Sequence, residues 1–392
     1  MSETSSFQTR PAPEIVFGAG KLARAGELVR GLGLGRVLLV TDPGIEDAGH
    51  TERLLRILMQ AGVAVSIFDA VEENPTTLTA RLCAEAAREF SADGFVGLGG
   101  GSALDAAKAG NFIYTNGGQM VDYRGYGQAV SPLLPIVAIP TTAGTGSDCQ
   151  SYAVIADEDT HAKMACGDAT ALPRITLLDP TLTHTQPPAV AARAVVDAIS
   201  HAIESYVSTA AGDYSRLFAR EAFARLSASA MSLAEDKAMD ADRAQLQLGA
   251  SYAGIAIENS MLGAAHALAN PLTAHVGVPH GQAVGVMLPA VIRHNGEETA
   301  LAARYRELST YLGAQYEDLS GPAALANWVE QLLVFLGLGR SLGELGLKGD
   351  VLEKMAGEAA EQWTGRFNPR PVNAETLLEL YRESFTPRDV VA

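Results

Sequence analysis

Through the first half of the chain, short apolar runs alternate with stretches of helical periodicity. RVLLVTD, VAVSIFD, GFVGLGGGS and PIVAIPTT have almost no polar face, the pattern of strands buried on both sides. Between them, HTERLLRILMQAG and TLTARLCAEAAREFSA place apolar residues every three or four positions, as a helix with one buried face requires. This repetition predicts an α/β domain with a doubly wound, mostly parallel sheet. From about Pro187 the pattern changes to long Ala- and Leu-rich segments: AVAARAVVDAISHAIESYVSTA, DYSRLFAREAFARLSASAMSLAE and RAQLQLGASYAGIAIENSMLGAAHALA. The second half therefore reads as an all-α domain. Gln186-Pro187-Pro188 parts the two patterns, because consecutive prolines disfavour helix interiors and central strands. The expected domains are residues 1–187 and 188–392.

Composition and charge then exclude several classes. A chain of 392 residues, 47% hydrophobic and 19% charged, is long enough for two buried cores. A net charge of −16 argues against nucleic acid and anionic membranes, whose binding needs clustered Lys and Arg. The three cysteines, Cys83, Cys149 and Cys166, are odd in number and widely spaced, which fits free thiols in a reducing compartment. MSETSSFQTRPAPE lacks the apolar core of a signal peptide, and no run is long enough to span a bilayer. The expectation is a soluble, cytoplasmic protein.

The densest candidate chemistry lies between Asp197 and His280. Asp197 and His201 are four apart in VVDAISHAIESY, so one helix face presents both to a common ion. His266 and His280 follow in a segment holding four of the chain's eight histidines. Three imidazoles and a carboxylate suit a divalent ion of the iron or zinc type, without separating the two. Taken singly, each histidine has a plainer reading as a hydrogen-bonded helix residue.

Two glycine-rich loops point to a phosphate-bearing ligand. Gly99, Gly100, Gly101 and Ser102 follow an apolar strand and open a helix, where backbone N–H groups and the helix dipole meet a pyrophosphate. The spacing matches neither G-x-G-x-x-G nor the NTPase loop, so a tight strand-to-helix turn is the plainer alternative. PTTAGTGSD ends another strand and is rich in small hydroxyls. Asp42 closes RVLLVTD, where a carboxylate accepts from an adenosine ribose and repels a 2′-phosphate, favouring NAD over NADP; the plainer reading is a helix cap.

In their order and distances, GGGSALDAAKA, PTTAGTGSD, DAISHAIESY and HALANPLTAHVGVPHG resemble the iron-containing (group III) alcohol dehydrogenase family. The resemblance runs from Phe17-Gly18-Ala19-Gly20 to Asn368-Pro369-Arg370. It implies a nucleotide-binding α/β domain, a helical metal domain with a cleft between them, and a homodimer or higher homo-oligomer built partly by N-terminal strands such as PEIVFG. It places four metal ligands on Asp197, His201, His266 and His280. Cofactor contacts carry over to Asp42, Gly99, Gly100, Gly101, Ser102, Asp105, Thr141, Thr142, Thr145, Lys163 and Leu182. Two positions depart from the family: Asp148 stands where Glu is usual, and Asn270 stands where many members carry a histidine discussed as a proton relay. Asparagine has no acid–base chemistry, which leaves water, the cofactor ribose or His275 to move the proton. Pro271 is expected to bias Asn270 away from helix.

The activity this implies is hydride transfer between a small alcohol or aldehyde and NAD(H), helped by Fe²⁺ or alternatively Zn²⁺. No Lys or Arg occurs between Arg243 and Arg293, which favours a neutral primary alcohol or diol unless Arg366, Arg370 or Lys163 enters from elsewhere. Ile257, Met261 and Trp363 are candidate pocket walls, or simply core. Rival readings are a hydroxyacid–oxoacid transhydrogenase with tightly held NAD, a dehydroquinate synthase-like lyase, which the missing cations disfavour, and a non-catalytic metal- or nucleotide-binding protein.

Overall fold

The computed structural model describes residues 8–160, 162–233 and 238–387. The chain divides into two compact units: Pro11–Gln186, and Pro187–Ala392 together with the described residues up to Arg10.

The first unit is built on nine strands: β1 (Glu14–Phe17), β2 (Arg36–Val40), β3 (Ala64–Phe68), β4 (Gly94–Gly99), β5 (Gly125–Tyr126), β6 (Ile136–Pro140), β7 (Tyr152–Ala156), β8 (Lys163–Gly167) and β9 (Ile175–Leu178). Six of them form a sheet in the order β1-β9-β6-β4-β2-β3, every neighbouring pair parallel. Helices α1 (Ala25–Gly31), α2 (Pro43–Asp47), α3 (His50–Gln60), α4 (Thr77–Phe90) and α5 (Gly101–Asn116) connect the strands. β2, β4 and β6 lie inside the sheet, and both of their faces are buried. That burial is why their sequences are continuously apolar rather than alternating. The parallel α/β architecture is the one the β-α repetition predicts. A second, three-stranded sheet, β5-β8-β7, in which β7 and β8 pair antiparallel, lies outside that β-α repetition.

The second unit carries α6 (Pro188–Val207), α7 (Asp213–Ser229), α8 (Asp240–Glu258), α9 (Ala264–Val276), α10 (His280–Asn295), α11 (Thr299–Ser309), α12 (Gly321–Phe335), α13 (Leu352–Ala360) and α14 (Ala374–Glu383). The all-α expectation holds. α6 starts with Pro188 at its first position, where a missing N–H costs nothing. From Val195 to Val207 every residue of α6 is buried, and it packs on α7, α8 and α10. One reading needs correction. The segment read as a single helix from Arg243 to Ala269 is two, broken between Glu258 and Ala264. Asn259 ends α8, and the chain restarts after Gly263 because buried side chains satisfy the first N–H groups of α9. Arg10 docks on the break: its backbone N–H donates to Asn259 Oδ1 at 2.7 Å, and its guanidinium meets Glu258 Oε1 at 3.2 Å. Glu258 is 4% exposed. Among the described residues, no helix is long and apolar enough to cross a membrane.

Candidate active site

The helical unit gathers the acid and imidazoles of the central motif. Asp197 and His201 project from one face of α6, and His266 comes from the first turn of α9. Their ligand-type atoms all lie within 4.8 Å of one another, and all three residues are buried. His280, first residue of α10, brings Nε2 to 3.9 Å from Asp197 Oδ1, and its side chain keeps 26% exposure. Gly281 permits this approach: a Cβ there would lie 2.2 Å from the Arg193 carbonyl oxygen of α6. The His201 and His266 rings stack with centroids 4.9 Å apart, and His280 tilts against His266 at 5.4 Å.

Two buried atoms test whether an ion fits here. Asp197 Oδ1 and His266 Nε2 have no hydrogen-bond partner, and they lie 3.6 Å apart, too far to bond each other. Buried polar atoms left this way are costly unless something else satisfies them. Three imidazoles and one carboxylate around such a gap are a donor set for a divalent metal. The electrostatics show that the pocket favours positive charge. Burial alone would raise the Asp197 carboxyl, but His201, His266 and His280 outweigh it and hold it below the ordinary carboxylate range. Burial disfavours charge on His266, yet Glu204 and Asp197 outweigh that and carry it up to about 9.

Glu204 was not singled out in the sequence. It is 4% exposed on α6, seven residues after Asp197. Its Oε2 meets His266 Nδ1 at 2.5 Å, and its Oε1 accepts the Ala265 backbone N–H at 2.8 Å. Heptad spacing from Asp197 put it on the same stripe, a signal available in the motif itself.

Residues expected around a proton relay and a substrate pocket are placed unevenly. Asn270 lies inside α9, not outside a helix, because Pro271 is accommodated within a buried helix that packs on α10 and α13. Its Nδ2 donates to Gln362 Oε1 at 2.9 Å. His275 is not with the cluster. It follows His266 by nine positions, about half a revolution out of phase and about 13 Å further along the axis. There it is exposed, and its Nε2 lies 2.5 Å from Glu358 Oε2. Ile257 and Met261 are 5% and 7% exposed, as core side chains are, and Trp363 is half-buried.

In the α/β unit the two glycine-rich loops meet. Gly99 has φ +148°, open to glycine alone, and a Cβ there would lie 3.1 Å from Asp42 Oδ2. A Cβ on Gly100 would touch Thr142, and one on Gly101 would overlap Thr145 at 2.6 Å. Thr141 is buried, its N–H bonded to the Gly99 carbonyl at 2.9 Å. The N-terminus of α5 has no side-chain cap, and Ser102 is half-buried in its first turn. Asp42, Gly99, Gly100, Gly101, Ser102, Thr142 and Thr145 thus form one surface. Asp42 also caps α2, Oδ1 accepting from Ile45 N at 3.1 Å, and burial raises its carboxyl.

Asp105 points into the protein. Its Oδ1 accepts from Ser147 Oγ at 2.5 Å and its Oδ2 from Val154 N at 3.1 Å; burial raises its carboxyl, and Lys108 opposes that. Lys163 opens β8 half-buried and also acts on Asp105. Leu182 is fully buried in the core. Asp148 is buried, its carbonyl accepting from Thr176 Oγ1 at 2.5 Å.

A parallel α/β unit with a glycine-lined helix N-terminus, joined in one chain to a helical unit holding a carboxylate and three imidazoles, defines a metal-dependent, nucleotide-linked enzyme class. Comparison with known proteins makes this particular. The model of the iron-containing alcohol dehydrogenase family matches residues 12–180, and that of the Fe-containing alcohol dehydrogenase family's C-terminal part matches residues 191–385. Alcohol dehydrogenase 4 of Schizosaccharomyces pombe is 33% identical over 355 residues, covering 90% of this chain and 83% of the relative. A crystal structure of 1,3-propanediol oxidoreductase superposes with a TM-score of 0.91 at 30% identity, covering 97% of this chain and all of the other. Sulfoacetaldehyde reductase from Bifidobacterium kashiwanohense, solved with NAD⁺, gives 0.86 at 26% identity, over 97% and 98% of the two chains. The chain belongs to the iron-containing alcohol dehydrogenase family. It is an oxidoreductase that interconverts an alcohol and its carbonyl compound.

Proposed function

We propose that this dehydrogenase uses NAD(H) and Fe²⁺, with Zn²⁺ as the alternative ion, to interconvert a small neutral primary alcohol or diol and its aldehyde. The observation that carries the metal is the pair of unpartnered buried atoms, Asp197 Oδ1 and His266 Nε2, with His201 and His280 beside them. These four residues hold the ion. When bound, the ion supplies Lewis-acid polarisation of the substrate oxygen, and the nicotinamide accepts or gives the hydride.

The α/β unit binds the cofactor. Gly99, Gly100, Gly101 and Ser102 bring backbone N–H groups to the pyrophosphate, Thr142 and Thr145 add hydroxyls, and the Asp42 carboxylate orients the adenosine ribose and repels a 2′-phosphate. Thr141 and Asp105 support these loops from below, and Lys163 stands at their edge.

A neutral substrate is supported by the absence of Lys and Arg between Arg243 and Arg293, the stretch that carries His266 and His280, and by the engagement of two further arginines elsewhere. Arg293 is bound by both oxygens of Glu330 at 2.8 Å, and Arg370 by the His294 carbonyl at 2.7 Å and by Glu297. Neither is available for an anionic substrate. The Asn270–Gln362 amide pair stays neutral and orients a substrate or water hydrogen bond without titrating.

A homodimer or higher homo-oligomer is the proposed assembly, since β1 is an edge strand with only β9 as a neighbour among the described residues. Three buried free thiols favour a cytoplasmic home.

The test is an NAD(H)-linked panel of alcohols, diols, hydroxyacids and their carbonyl partners, run anaerobically on metal-free protein reloaded with Fe²⁺ or Zn²⁺. Metal-dependent turnover of a neutral alcohol or diol is the expected result. Exchange only between a hydroxyacid and an oxoacid, with free NAD(H) silent, would replace the reading with a transhydrogenase.

A further inference from the structure

We infer that Glu204 is a positioning residue for the metal cluster, holding the Nδ1–H of His266 so that Nε2, the nitrogen facing Asp197, is the one left to ligate a metal. The inference rests on the metal reading above and adds a residue and a role to it.

Hydrogen bonds around one buried carboxylate set which imidazole nitrogen faces the cluster. Oε1 of Glu204 accepts the Ala265 N–H at 2.8 Å, and Oε2 faces His266 Nδ1 at 2.5 Å. An ionised carboxylate only accepts, so the imidazole nitrogen facing it must be the one carrying hydrogen. That leaves Nε2, the buried atom without a hydrogen-bond partner, as the ligating nitrogen. Beside this carboxylate, Ala264 N–H donates to Asn368 Oδ1 at 3.2 Å, and Asn368 is bonded to Asn295 in the interior. Glu204 and Asn368 therefore satisfy the first two N–H groups of α9, where the helix dipole also favours negative charge. The restart of the chain at Gly263 belongs to the same device. A Cβ there would lie 2.9 Å from Glu204 Oε1 and 3.0 Å from Asn368 Oδ1.

Glu204→Gln separates this role from a merely structural one. A glutamine has one accepting oxygen, where the carboxylate has two. The Ala265 N–H can only donate, so it claims that oxygen and turns the amide NH₂ toward Nδ1. His266 must then accept at Nδ1 and carry its hydrogen on Nε2, which blocks ligation. The helix cap survives and the metal ligand does not.

The experiment uses the full-length, metal-free protein with Zn²⁺ alone as probe. Affinity is read by competition with a chromophoric chelator, and the zinc form is examined by NMR with ¹⁵N-histidine labelling for a strongly hydrogen-bonded Nδ1–H. Wild type is expected to show that signal and tight zinc binding that His201→Ala weakens. Glu204→Gln is expected to lose the signal and bind about 10–100-fold more weakly, the range typical when a ligand's supporting carboxylate is removed. Gly263→Ala, which keeps the charge and displaces it, is expected to weaken binding less and shift the signal. If Glu204→Gln binds zinc as wild type does and keeps the Nδ1–H signal, the role of Glu204 is overturned while the metal site stands. If wild type binds zinc indifferently to His201→Ala, the metal reading itself fails. Should Glu204→Gln not fold, a wild-type zinc form with His266 ligating through Nδ1 overturns the inference unaided.

Discussion

Replacing Lys108 by methionine should destabilise the α/β unit far more than a single side chain of the same length ordinarily does. Lys108 has no exposed surface, and its ammonium spends all three hydrogens on protein oxygens: Ser147 O at 2.6 Å, Ser147 Oγ at 2.7 Å and Tyr152 O at 2.9 Å. Asp105 Oδ1 lies 3.7 Å away and is tied to the same Ser147 hydroxyl. This one cation fastens α5 to the end of the threonine-rich loop and to the start of β7. Methionine keeps the alkyl bulk but removes these hydrogen bonds and the nearer charge partner of Asp105, leaving only the weaker influence of Lys163. Removing one side of a buried charged arrangement costs about 3–5 kcal/mol. For a unit of this size each kcal/mol moves the midpoint by roughly 2–4 °C, so its thermal transition should fall by about 6–20 °C. Calorimetry resolves this if the units melt separately, with NAD⁺ affinity measured in parallel and expected to weaken as the loops loosen. Adding Asp105→Asn should recover part of the loss, because the stranded carboxylate is then neutral. A Lys108→Met midpoint within about 2 °C of wild type, or a double variant no better than the sum of the singles, would falsify the reasoning.

Other expectations concern charge and pH. Asp42→Asn keeps the cap on α2 but removes the charge, and should raise NADP⁺ over NAD⁺ preference in kcat/KM by about tenfold or more, on the order of 1–2 kcal/mol of lost repulsion; an unchanged ratio would place the ribose elsewhere. His275→Ala should leave the pH–rate profile unaltered and cost under about 1 kcal/mol, its contact with Glu358 being a surface pair; disappearance of a kinetic ionisation would restore it as a relay. Burial pushes the Cys166 thiol up to about 12, only partly opposed by Arg124. Its folded value exceeds its unfolded one, so its contribution is fully present below about pH 9 and is lost as pH rises from about 9 to 12, an upper limit of order 4 kcal/mol. Denaturant midpoints should therefore fall more steeply above pH 9 in wild type than in Cys166→Ala, and parallel curves would contradict this.

Much of the fold was legible because its elements are bounded by strong local signals. Interior parallel strands such as β4 and β6 are apolar throughout, and α6 carries a helical period with a proline at its start. The small sheet was not legible: β7 and β8 are five residues each and only partly buried, so neither their length nor their alternation separates them from loop. The break between α8 and α9 hid for another reason. The caps of α9 come from Glu204 and Asn368, distant along the chain, and nothing local marks a helix start. Tertiary packing likewise carried α9 through Pro271 against the local preference. At the candidate site, spacing brought Asp197 and His201 to one helix face, whereas no spacing shows that Asp105 bonds Ser147 and Val154 or that Leu182 lies in the core. A motif residue can serve a ligand or hold the loop that does, and only its hydrogen-bond partners tell which.

The two crossings of the backbone between units, after Arg10 and after Gln186, mean that neither crossing point is a clean place to cut. A helical fragment begun at Pro187 would look complete in sequence, yet it would lack Arg10 and with it one partner of the buried Glu258 carboxylate. Trimming the chain before residue 11 would be felt at the end of α8, some 250 positions away and close in sequence to His266. For anyone building truncations, tags or split versions of this enzyme, the beginning of the chain is part of its far half.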